Sequence, residues 1–478
     1  MNSPSTASLS QRTIFRSAPE REALEAHVRG AIPGWLRGDL VRTAPAVFQR
    51  ADWAARHWFD GLGLLFAFHI DPAGRVHFRQ RLLGSEVARR IGEGRDDTPH
   101  FGTPMHRSLW DRARSPIPRA NDNTNVNCKP YGRRLVAMTE TNAQHDIDCA
   151  TLRSRGRLRY EDRLGDAVQM LAHPHADFTR GVVVNVATDF SRRSGLLVYE
   201  HPMDRLERTV VAKIPLSRVP YLHSFGLTSR HAILLGGPFV VRPWTLLWSD
   251  RAYADHFRWR PELGTEIWRI DRGGGPAAKH TAPPMFVFHT LNSFERNDET
   301  VHDVLAFDDA GIVGRLNVED LTSAPPDLRA RPMRLVLRHG TEAARVEPLS
   351  EARFEFPSID YRRFGGQAYR AAFGVSNGPA VDGYGSAVVR VDVASGKTRS
   401  LAERPWVFGE PVFVSRPGSE REGDGALLSV ASHLDEPRAA LAVLDAETLD
   451  VRAWVDVEVP IPLGFHGTFM RTPPPLAC

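Results

Sequence analysis

Four of the 19 histidines stand in surroundings where an imidazole ring is expected to have a partner. They are His173 in MLAHPHADF, His223 in PYLHSFGLTS, His289 in FVFHTLNSFE and His466 in PLGFHGTF. Each lies at or near the end of an apolar run, where a polar ring without a partner costs roughly 1 to 3 kcal/mol. These four are candidates for chemistry, and the other histidines are expected to be surface or core residues.

The four candidates are spaced 50, 66 and 177 residues apart, so they come from different parts of the fold. Imidazole suits Zn, Cu, Fe and Ni, and a shell of four neutral rings leaves the full charge on the metal. The spacing excludes a zinc finger. A metal site is one interpretation, and ordinary structural histidines are the other, since a pair such as His173 and His175 is common in proteins without metal.

The elements that must position these rings are hairpins in series. Short β-rich runs alternate with turns centred on an aspartate, a residue that closes hairpins with its side chain. Long helical periodicities are scarce, and the spacing is too irregular for a strict repeat. We predict an all-β fold, a β-propeller with loop insertions, with a large β-sandwich as the alternative. The five turn residues are Asp71, Asp271, Asp308, Asp392 and Asp445.

The chain is expected to form a single domain. Residues 1–35 are polar, contain one helical stretch from Pro19 to Gly30, and are predicted to form an N-terminal arm. The body then begins at GDLVRTAPAVFQR, and residues 36–478 contain no linker or composition shift that would divide them.

Composition narrows the function classes. With 42% hydrophobic and 25% charged residues the chain is globular rather than disordered or fibrous. A net charge of +4, spread along the chain without a basic block, argues against nucleic acid. Three cysteines without CxxC spacing (Cys128, Cys149 and Cys478) predict neither a disulfide framework nor a thiolate metal site. The absence of a secretory apolar segment or an 18-residue apolar run predicts a cytoplasmic protein without a spanning helix.

Eight short motifs favour the metal interpretation, because together they resemble the carotenoid cleavage oxygenase family. They run in the family's order from about residue 37 to residue 470, and all four candidate histidines lie within them. The motifs are HWFDGLGLL (57–65), TETN (139–142), AHPHAD (172–177), LHSFGLT (222–228), HTLNSFE (289–295), FEFPSID (354–360), EPVFV (410–414) and GFHG (464–467).

The resemblance implies a seven-bladed β-propeller, with loop and helical insertions capping its top face, that holds Fe(II) on its axis through His173, His223, His289 and His466. It also implies three glutamates behind the metal ligands. Glu140 would serve His223, Glu355 would serve His289 and Glu410 would serve His466, while His173 would have no carboxylate. Such a carboxylate fixes the tautomer and orientation of a ligating ring. Glu295 of HTLNSFE is expected to be structural.

The activity implied is oxidative cleavage of a conjugated C=C bond of a carotenoid or apocarotenoid by O₂, giving two aldehydes. The chain has no HExxH, P-loop or dinucleotide motif that would point to another chemistry. A stilbene-cleaving relative is the alternative, but such relatives have a lysine where this chain has Thr139, next to Glu140. A non-catalytic propeller scaffold or a zinc hydrolase are further alternatives.

Two more expectations concern the substrate. Five phenylalanines beside the motif residues could line a tunnel, and Val126 would lie near the open metal position; the five are Phe59, Phe225, Phe288, Phe354 and Phe465. The stretch from Ala232 to Trp248 begins as buried strands and ends in an aromatic and cationic mixture typical of lipid interfaces. We therefore expect peripheral membrane contact through Trp244, Leu246, Leu247 and Trp248.

Overall fold

The computed structural model describes residues 17–114, 119–162, 164, 168–247, 249–323, 330–376 and 385–471. Within these ranges the chain forms 36 β-strands and five short α-helices, and every pairing between strands is antiparallel. The all-β prediction is therefore confirmed.

The strands of the first half are β1 Arg21–Gly30, β2 Gly38–Val47, β3 Gln49–Arg50, β4 Trp53–Ala54, β5 Leu62–Ile70, β6 Val76–Leu82, β7 Asn127–Tyr131, β8 Arg134–Met138, β9 His145–Ile147, β10 Ser154–Arg157, β11 Val168–Met170, β12 His175–Asp177, β13 Val182–Asp189, β14 Gly195–Pro202, β15 Thr209–Pro215, β16 Val219–Pro220, β17 Gly226–Leu227 and β18 His231–Gly236. Those of the second half are β19 Phe239–Val241, β20 Arg258–Trp259, β21 Thr265–Asp271, β22 Ala278–Ala282, β23 Phe286–Arg296, β24 Glu299–Phe307, β25 Arg331–Arg338, β26 Arg345–Pro348, β27 Glu355–Ser358, β28 Ala371–Ser376, β29 Ala387–Asp392, β30 Thr398–Ala402, β31 Trp406–Phe408, β32 Val412–Ser415, β33 Gly425–His433, β34 Ala439–Asp445, β35 Val451–Val457 and β36 Gly467–Arg471. The helices are α1 Glu86–Gly92, α2 Leu109–Arg114, α3 Gly311–Arg315, α4 Val318–Ser323 and α5 Tyr361–Phe364, with 3₁₀ turns at Trp58–Asp60, Pro243–Leu246, Ala254–His256 and Pro261–Leu263.

Most of these strands belong to meandering sheets of four or five. The sheets are β10-β9-β8-β7, β11-β13-β14-β15 with β12 on β13, β17-β18-β21-β22, β23-β24-β25-β26 and β27-β28-β29-β30. A larger sheet runs β31-β33-β34-β35-β1-β6-β5-β2-β36, with β32 on β33, and smaller ones are β16-β19-β20 and β3-β4. Second strands such as β33 are buried on both faces, whereas fourth strands such as β15 and β30 are largely exposed. Apolar side chains therefore pack between neighbouring sheets.

The first strand corrects the predicted helix at Pro19–Gly30. The segment is the strand β1, which pairs with β6 on one side and β35 on the other. A polar segment of this length is marginal as an isolated helix, whereas as a strand it satisfies the backbone groups of two sheet edges. β1 therefore connects a strand near the beginning of the chain, β6, with a strand near its end, β35.

A second junction between the chain's ends lies at β2 and β36. Residues 38–42 of β2 pair in register with residues 467–471 of β36, so that Arg42 stands opposite Gly467. Because β36 begins directly after His466, the position of this histidine is set by the pairing that connects the two ends of the chain.

Four of the five aspartate turns form as predicted. Asp71, Asp271, Asp392 and Asp445 each accept a hydrogen bond from the backbone N–H two residues later, at 2.7 to 3.2 Å. The prediction at Asp308 is wrong: β24 ends at Phe307 and α3 follows instead of a strand.

Two observations bear on the cysteines and on membrane spans. Cys128 is buried and Cys149 half-buried, both as free thiols, while Cys478 lies outside the described residues. Among the helices of the described part, none is long and apolar enough to cross a membrane.

Glu295 ties two sheets together. Its carboxylate accepts from the Thr228 hydroxyl at 2.6 Å, the His231 ring at 2.7 Å and the Thr300 hydroxyl at 2.9 Å. Burial alone would raise its pKa, but these three donors and the nearby ring lower the pKa to about 2. Glu295 therefore has the structural role that the sequence suggested.

We predict that Glu295→Gln lowers the free energy of unfolding by about 2 kcal/mol at neutral pH, the usual worth of hydrogen bonds to a charged group. Because the pKa is depressed in the folded state, this stabilisation is complete above the unfolded value near 4.5 and disappears as the pH falls toward 2. Urea unfolding of both proteins from pH 7 down to about pH 3 should show the difference narrowing below about pH 4.5. A difference that stays constant or grows would mean that ionised Glu295 is not the stabilising species.

Candidate metal centre

The four candidate histidines converge. Each offers one ring nitrogen, and these nitrogens lie within 4.8 Å of one another. Nε2 of His173 lies 3.0 Å from Nε2 of His223, and Nε2 of His289 lies 3.1 Å from Nε2 of His466. Rings that are far apart in the sequence are therefore in contact in the folded protein.

Each ring comes from the inner edge of a different sheet. His173 precedes β12, His223 lies between β16 and β17, His289 belongs to β23 and His466 precedes β36. β17, β23 and β36 are terminal strands of their sheets, and β12 adds to the edge of β13. Sheet edges that would otherwise present free backbone thus face one another across a shared centre.

Three carboxylates stand behind the rings. Glu140 accepts from Nδ1 of His223 at 2.5 Å, Glu355 from Nδ1 of His289 at 2.5 Å and Glu410 from Nδ1 of His466 at 2.7 Å. These are the pairs that the family resemblance implies. In the described part of the chain, no carboxylate hydrogen bond reaches His173.

The carboxylates are themselves held. The Tyr221 hydroxyl lies 3.0 and 3.1 Å from the two oxygens of Glu140, and the N–H of Phe356 donates to Glu355 at 2.9 Å. The N–H of Gly467 lies 3.2 Å from Glu410. Phe356 has a φ of 53°, in the left-handed region, which costs a non-glycine residue about 1 to 3 kcal/mol. That strain places the Phe356 N–H against Glu355.

The donor set fits a cation. A ring whose Nδ1–H is taken by a carboxylate has a bare lone pair on Nε2 when it is neutral. His289 and His466 both meet this condition, yet their Nε2 atoms face each other at 3.1 Å. Two lone pairs repel at that distance unless a positive charge lies between them. The arrangement is the one that a metal liganded by four imidazoles requires.

Electrostatics favours the neutral rings that such a site needs. Burial lowers the pKa of His466 to about 4, with Glu410 opposing and the other rings adding to the shift. Burial, followed by the charges of the other three histidines, also lowers the pKa of His173 well below its ordinary value. Burial would raise the pKa of Glu410, but His466 and Arg42 outweigh it, so the carboxyl is ionised.

His175 does not join the cluster. Its Nε2 lies 2.8 Å from the carbonyl oxygen of Phe225, and its Nδ1 contacts the Tyr361 hydroxyl. The second histidine of AHPHAD is therefore satisfied by local partners, as expected for a structural residue.

A cavity of about 570 Å³ borders three of the four rings, namely His223, His289 and His466. Its walls are mostly aromatic and aliphatic, contributed by Trp58, Phe59, Phe101, Val126, Phe190, Leu246, Leu247, Tyr253, Phe288, Phe307, Ile312, Leu316, Phe356 and Phe465. This volume is within the range of small-molecule sites.

The aromatic prediction holds for Phe59, Phe288 and Phe465 and is wrong for Phe225 and Phe354, which are fully buried and do not line the cavity. In FEFPSID the lining residue is Phe356 instead of Phe354, because the left-handed backbone at Phe356 changes the alternation of the strand. Val126 does line the cavity.

Polar side chains also line the cavity, among them Asn121, Thr139, Asn142, Gln169 and Arg192. Leu246 and Leu247 contribute apolar surface to the same wall.

The predicted membrane segment is partly exposed. Trp244 is 66% and Leu247 is 56% exposed, whereas Leu246 is partly buried and Trp248 lies outside the described residues. Two further exposed side chains, Leu109 and Trp110, stand on α2. Asp250, which follows the segment, accepts hydrogen bonds from Arg107, just before α2, and from Arg112 within α2, so the segment and α2 are tied together. We call Leu109, Trp110, Trp244 and Leu247 the mouth patch.

Sequence reasoning missed several residues of this centre. Tyr221 stands two residues before His223, the spacing that brings side chains to one face of an extended chain, and so carried a usable signal. Arg42, a charge within the apolar run GDLVRTAPAV, carried another. The left-handed conformation of Phe356 had no signal in the sequence.

Comparison with known proteins agrees with this geometry. The family model for retinal pigment epithelial membrane protein (RPE65) matches residues 14–471. A carotenoid-cleaving dioxygenase, mitochondrial, of Mustela putorius furo is 27% identical, with 94% of each chain aligned. An apocarotenoid-15,15'-oxygenase of Synechocystis is 25% identical, covering 99% of this chain and 100% of that protein.

Solved structures show the fold. The crystal structure of cobalt-substituted Synechocystis ACO superposes with a TM-score of 0.87 at 23% identity, covering 97% of this chain and 99% of that one. The β-propeller fold that the hairpins predicted is thus confirmed, and the β-sandwich alternative is excluded.

We predict that Glu410→Gln weakens metal binding by about 10- to 100-fold, the usual effect of losing the partner of a ligating histidine. Glu295→Gln is the matched control, because Glu295 also accepts from a histidine Nδ1, at 2.7 Å, but outside the cluster. Metal affinity measured by chelator competition should fall in the first variant and stay near that of the unmodified protein in the second. Equal affinities in both variants would contradict a role for Glu410 at the metal.

Proposed function

The chain belongs to the RPE65 family of carotenoid oxygenases, and we propose that it is an iron-dependent dioxygenase that cleaves a conjugated C=C bond of a carotenoid or apocarotenoid. The observation that carries this proposal is the convergence of four histidines, three of them backed by carboxylates, at the wall of an apolar cavity.

His173, His223, His289 and His466 would hold the iron through their Nε2 atoms. The chemistry that ferrous iron supplies in such a site is activation of O₂ toward an alkene. Glu140, Glu355 and Glu410 hold the Nδ1 protons and so keep three rings in the tautomer that presents Nε2 to the centre.

The cavity residues would orient and protect the substrate. Phe59 packs between Phe101, Phe288 and Phe465, with ring centroids 4.9 to 6.0 Å apart, and together these rings form a rigid wall beside the histidines. A flat polyene lying on such a wall would present one bond to the centre, and the apolar surroundings would exclude water. Val126 would leave room next to the bond.

The overall reaction balances as one O₂ added to one C=C bond, giving two aldehydes without an organic cofactor or a general base. The substrate would be an apolar polyene. One relative is named a carotenoid-cleaving dioxygenase and another an apocarotenoid oxygenase, and these names do not favour the stilbene alternative. Thr139 on the cavity wall supports the same choice, because its hydroxyl supplies no cation to grip a phenolate.

We further propose that the propeller has seven blades in one domain, residues 36–478. The large sheet divides at β1 into two groups of strands, β36-β2-β5-β6 and β31-β33-β34-β35, and five other four- or five-stranded sheets complete the set. Residues 1–35 would be an arm whose strand β1 spans two neighbouring blades.

The mouth patch would attach the protein to a membrane surface from which the polyene enters. Exposed aromatic and aliphatic side chains, with Arg242 and Arg251 close by in sequence, have the composition of lipid-interface segments. Leu247 belongs both to the patch and to the cavity wall, so the opening would meet the lipid. A cytoplasmic protein attached peripherally is our proposal for its location.

The activity is tested with purified, iron-loaded protein and a panel of β-carotene, lycopene, an apocarotenal and resveratrol. We predict that at least one polyene is consumed with one O₂ per bond cleaved and with release of aldehydes, and that resveratrol is not. Oxygen uptake with chromatography of the products provides the measurement.

The control for this test separates the metal centre from general damage. His466→Ala should lose both iron and turnover, whereas His69→Gln, a half-buried histidine paired with Asp39 outside the cluster, should keep both. A metal-free purified protein would support a non-catalytic scaffold, cleavage without O₂ uptake would support a hydrolase, and preferential cleavage of resveratrol would support the stilbene alternative.

Membrane attachment gives a separate prediction. Trp110→Ser combined with Trp244→Ser, two residues of the mouth patch that do not line the cavity, should reduce cosedimentation with phospholipid liposomes by about 10-fold or more, since each large apolar side chain contributes roughly 1.5 to 3 kcal/mol of burial. Activity on detergent-solubilised substrate should persist. Phe178→Ser is the control, because Phe178 is also exposed (52%) but does not belong to the mouth patch. Unchanged binding of the double variant would exclude the mouth patch as the docking site.

A further inference from the structure

We propose that Arg42 is a positioning residue of the metal centre, whose guanidinium holds together the two chain segments that carry His466 and its carboxylate. The inference rests on the proposed iron site. It concerns a residue that lies behind the ring and not in the cavity.

Arg42 is among the largest fully buried side chains of the protein, with 1% of its surface exposed. It stands on β2, in a strand whose other members are almost all buried. Arginine is almost never buried to this degree unless it is paired, because its charge loses hydration. The partners of Arg42 therefore indicate what it stabilises.

Those partners belong to two separate segments at the centre. Nη1 donates to the backbone carbonyl of Glu410 at 2.7 Å, and Nη2 donates to the backbone carbonyl of Phe465, the residue before His466. Nη1 also lies 3.5 Å from the Glu410 carboxylate. A single planar group thus binds both the residue that accepts the His466 proton and the backbone next to His466.

The neighbouring residue strengthens the same junction. Both the N–H and the hydroxyl of Thr43 donate to the carbonyl of His466 at 3.1 Å, and the N–H of Phe465 donates to the carbonyl of Thr43 at 3.1 Å. The backbone of residues 465 and 466 is therefore fixed by β2 on both sides. These bonds of Thr43 and Phe465 do not involve Glu410. Arg42 adds the hydrogen bond that connects β2 with Glu410.

The arrangement is specific to one of the three carboxylates. Glu140 is held by a tyrosine hydroxyl and Glu355 by a backbone N–H. Among the described residues, neither forms an ion pair with an arginine or lysine, whereas Glu410 does. His466 is also the ring that immediately precedes the junction between the chain's ends, where two strands distant in sequence must be held in register.

The guanidinium of Arg42 donates from two nitrogens to two different carbonyls, a geometry that we call the fork. This geometry allows an experiment that separates the effect of hydrogen bonding from the effect of charge. Lysine at position 42 would keep the positive charge but has one ammonium group, which cannot span two carbonyls as a guanidinium does. Methionine would keep most of the volume and remove every hydrogen bond. If Arg42 positions the centre, iron release should depend on the fork and not on charge alone.

The experiment follows the rate at which excess ferrozine removes Fe(II) from the loaded protein. We expect release about 10- to 100-fold faster for Arg42→Met, the range seen when support behind a ligating histidine is lost, and an intermediate rate for Arg42→Lys. Thermal unfolding of the same samples measures general stability.

Arg334→Met is the matched control. Arg334 donates to the fully buried Asp303 through two bonds of 2.8 Å, but it stands on β25, two strands outward from β23. This variant should lose stability while releasing iron at a rate close to that of the unmodified protein.

The outcomes separate the two proposals. Release from Arg42→Met at the unmodified rate, or equally fast release from Arg334→Met at equal stability, would overturn the role of Arg42 alone. Failure of the unmodified protein to hold iron would overturn both the iron site and this inference. Should Arg42→Met not fold, Arg42→Lys decides by the same criterion, and release at the unmodified rate overturns the proposal.

Discussion

The structure depends on hydrogen bonds between histidine Nδ1 and a carboxylate that is buried (Glu355 and Glu410) or half-buried (Glu140). Three such bonds, at 2.5 to 2.7 Å, turn the Nε2 lone pairs of His223, His289 and His466 toward one point. Without a cation there, neutral rings 3.1 Å apart would repel each other. The propeller therefore holds several Nε2 lone pairs close together although they repel each other, and it must be rigid enough to keep the rings in place.

That rigidity comes from the way the sheets meet. The four rings, Glu355 and Glu410 lie on or next to edge strands of the sheets, and Glu140 follows β8, whose neighbour β7 is terminal. Packing between neighbouring sheets therefore fixes their separation. The pairing of β2 with β36 and the bridging by β1 connect the first residues of the fold to the last. A left-handed Phe356 places an N–H against Glu355 and its own ring against the cavity, so one strained residue serves both the centre and the substrate wall.

Part of this could be predicted from the sequence. Apolar runs broken by aspartate turns are local signals, and they predicted the hairpins. The histidines at the ends of apolar runs left the metal and structural interpretations open, and it was the resemblance to the carotenoid cleavage oxygenase family that implied four ligands with glutamates behind three of them. The errors occurred where long-range pairing overrides local preference: β1 is a strand because two sheet edges accept it, and the region after Asp308 is a helix. Phe356 replaced Phe354 on the cavity wall because of one backbone angle that residue types do not encode. The partners of Arg42 lie 368 and 423 residues away, which no local pattern can show.

Anomalous diffraction at the iron absorption edge, on crystals of the iron-loaded protein, would locate the metal. We predict one strong peak among the Nε2 atoms of His173, His223, His289 and His466, with the carboxylates of Glu140, Glu355 and Glu410 on the far side of their rings. A peak elsewhere in the molecule, or iron bound directly by one of these carboxylates, would contradict this prediction.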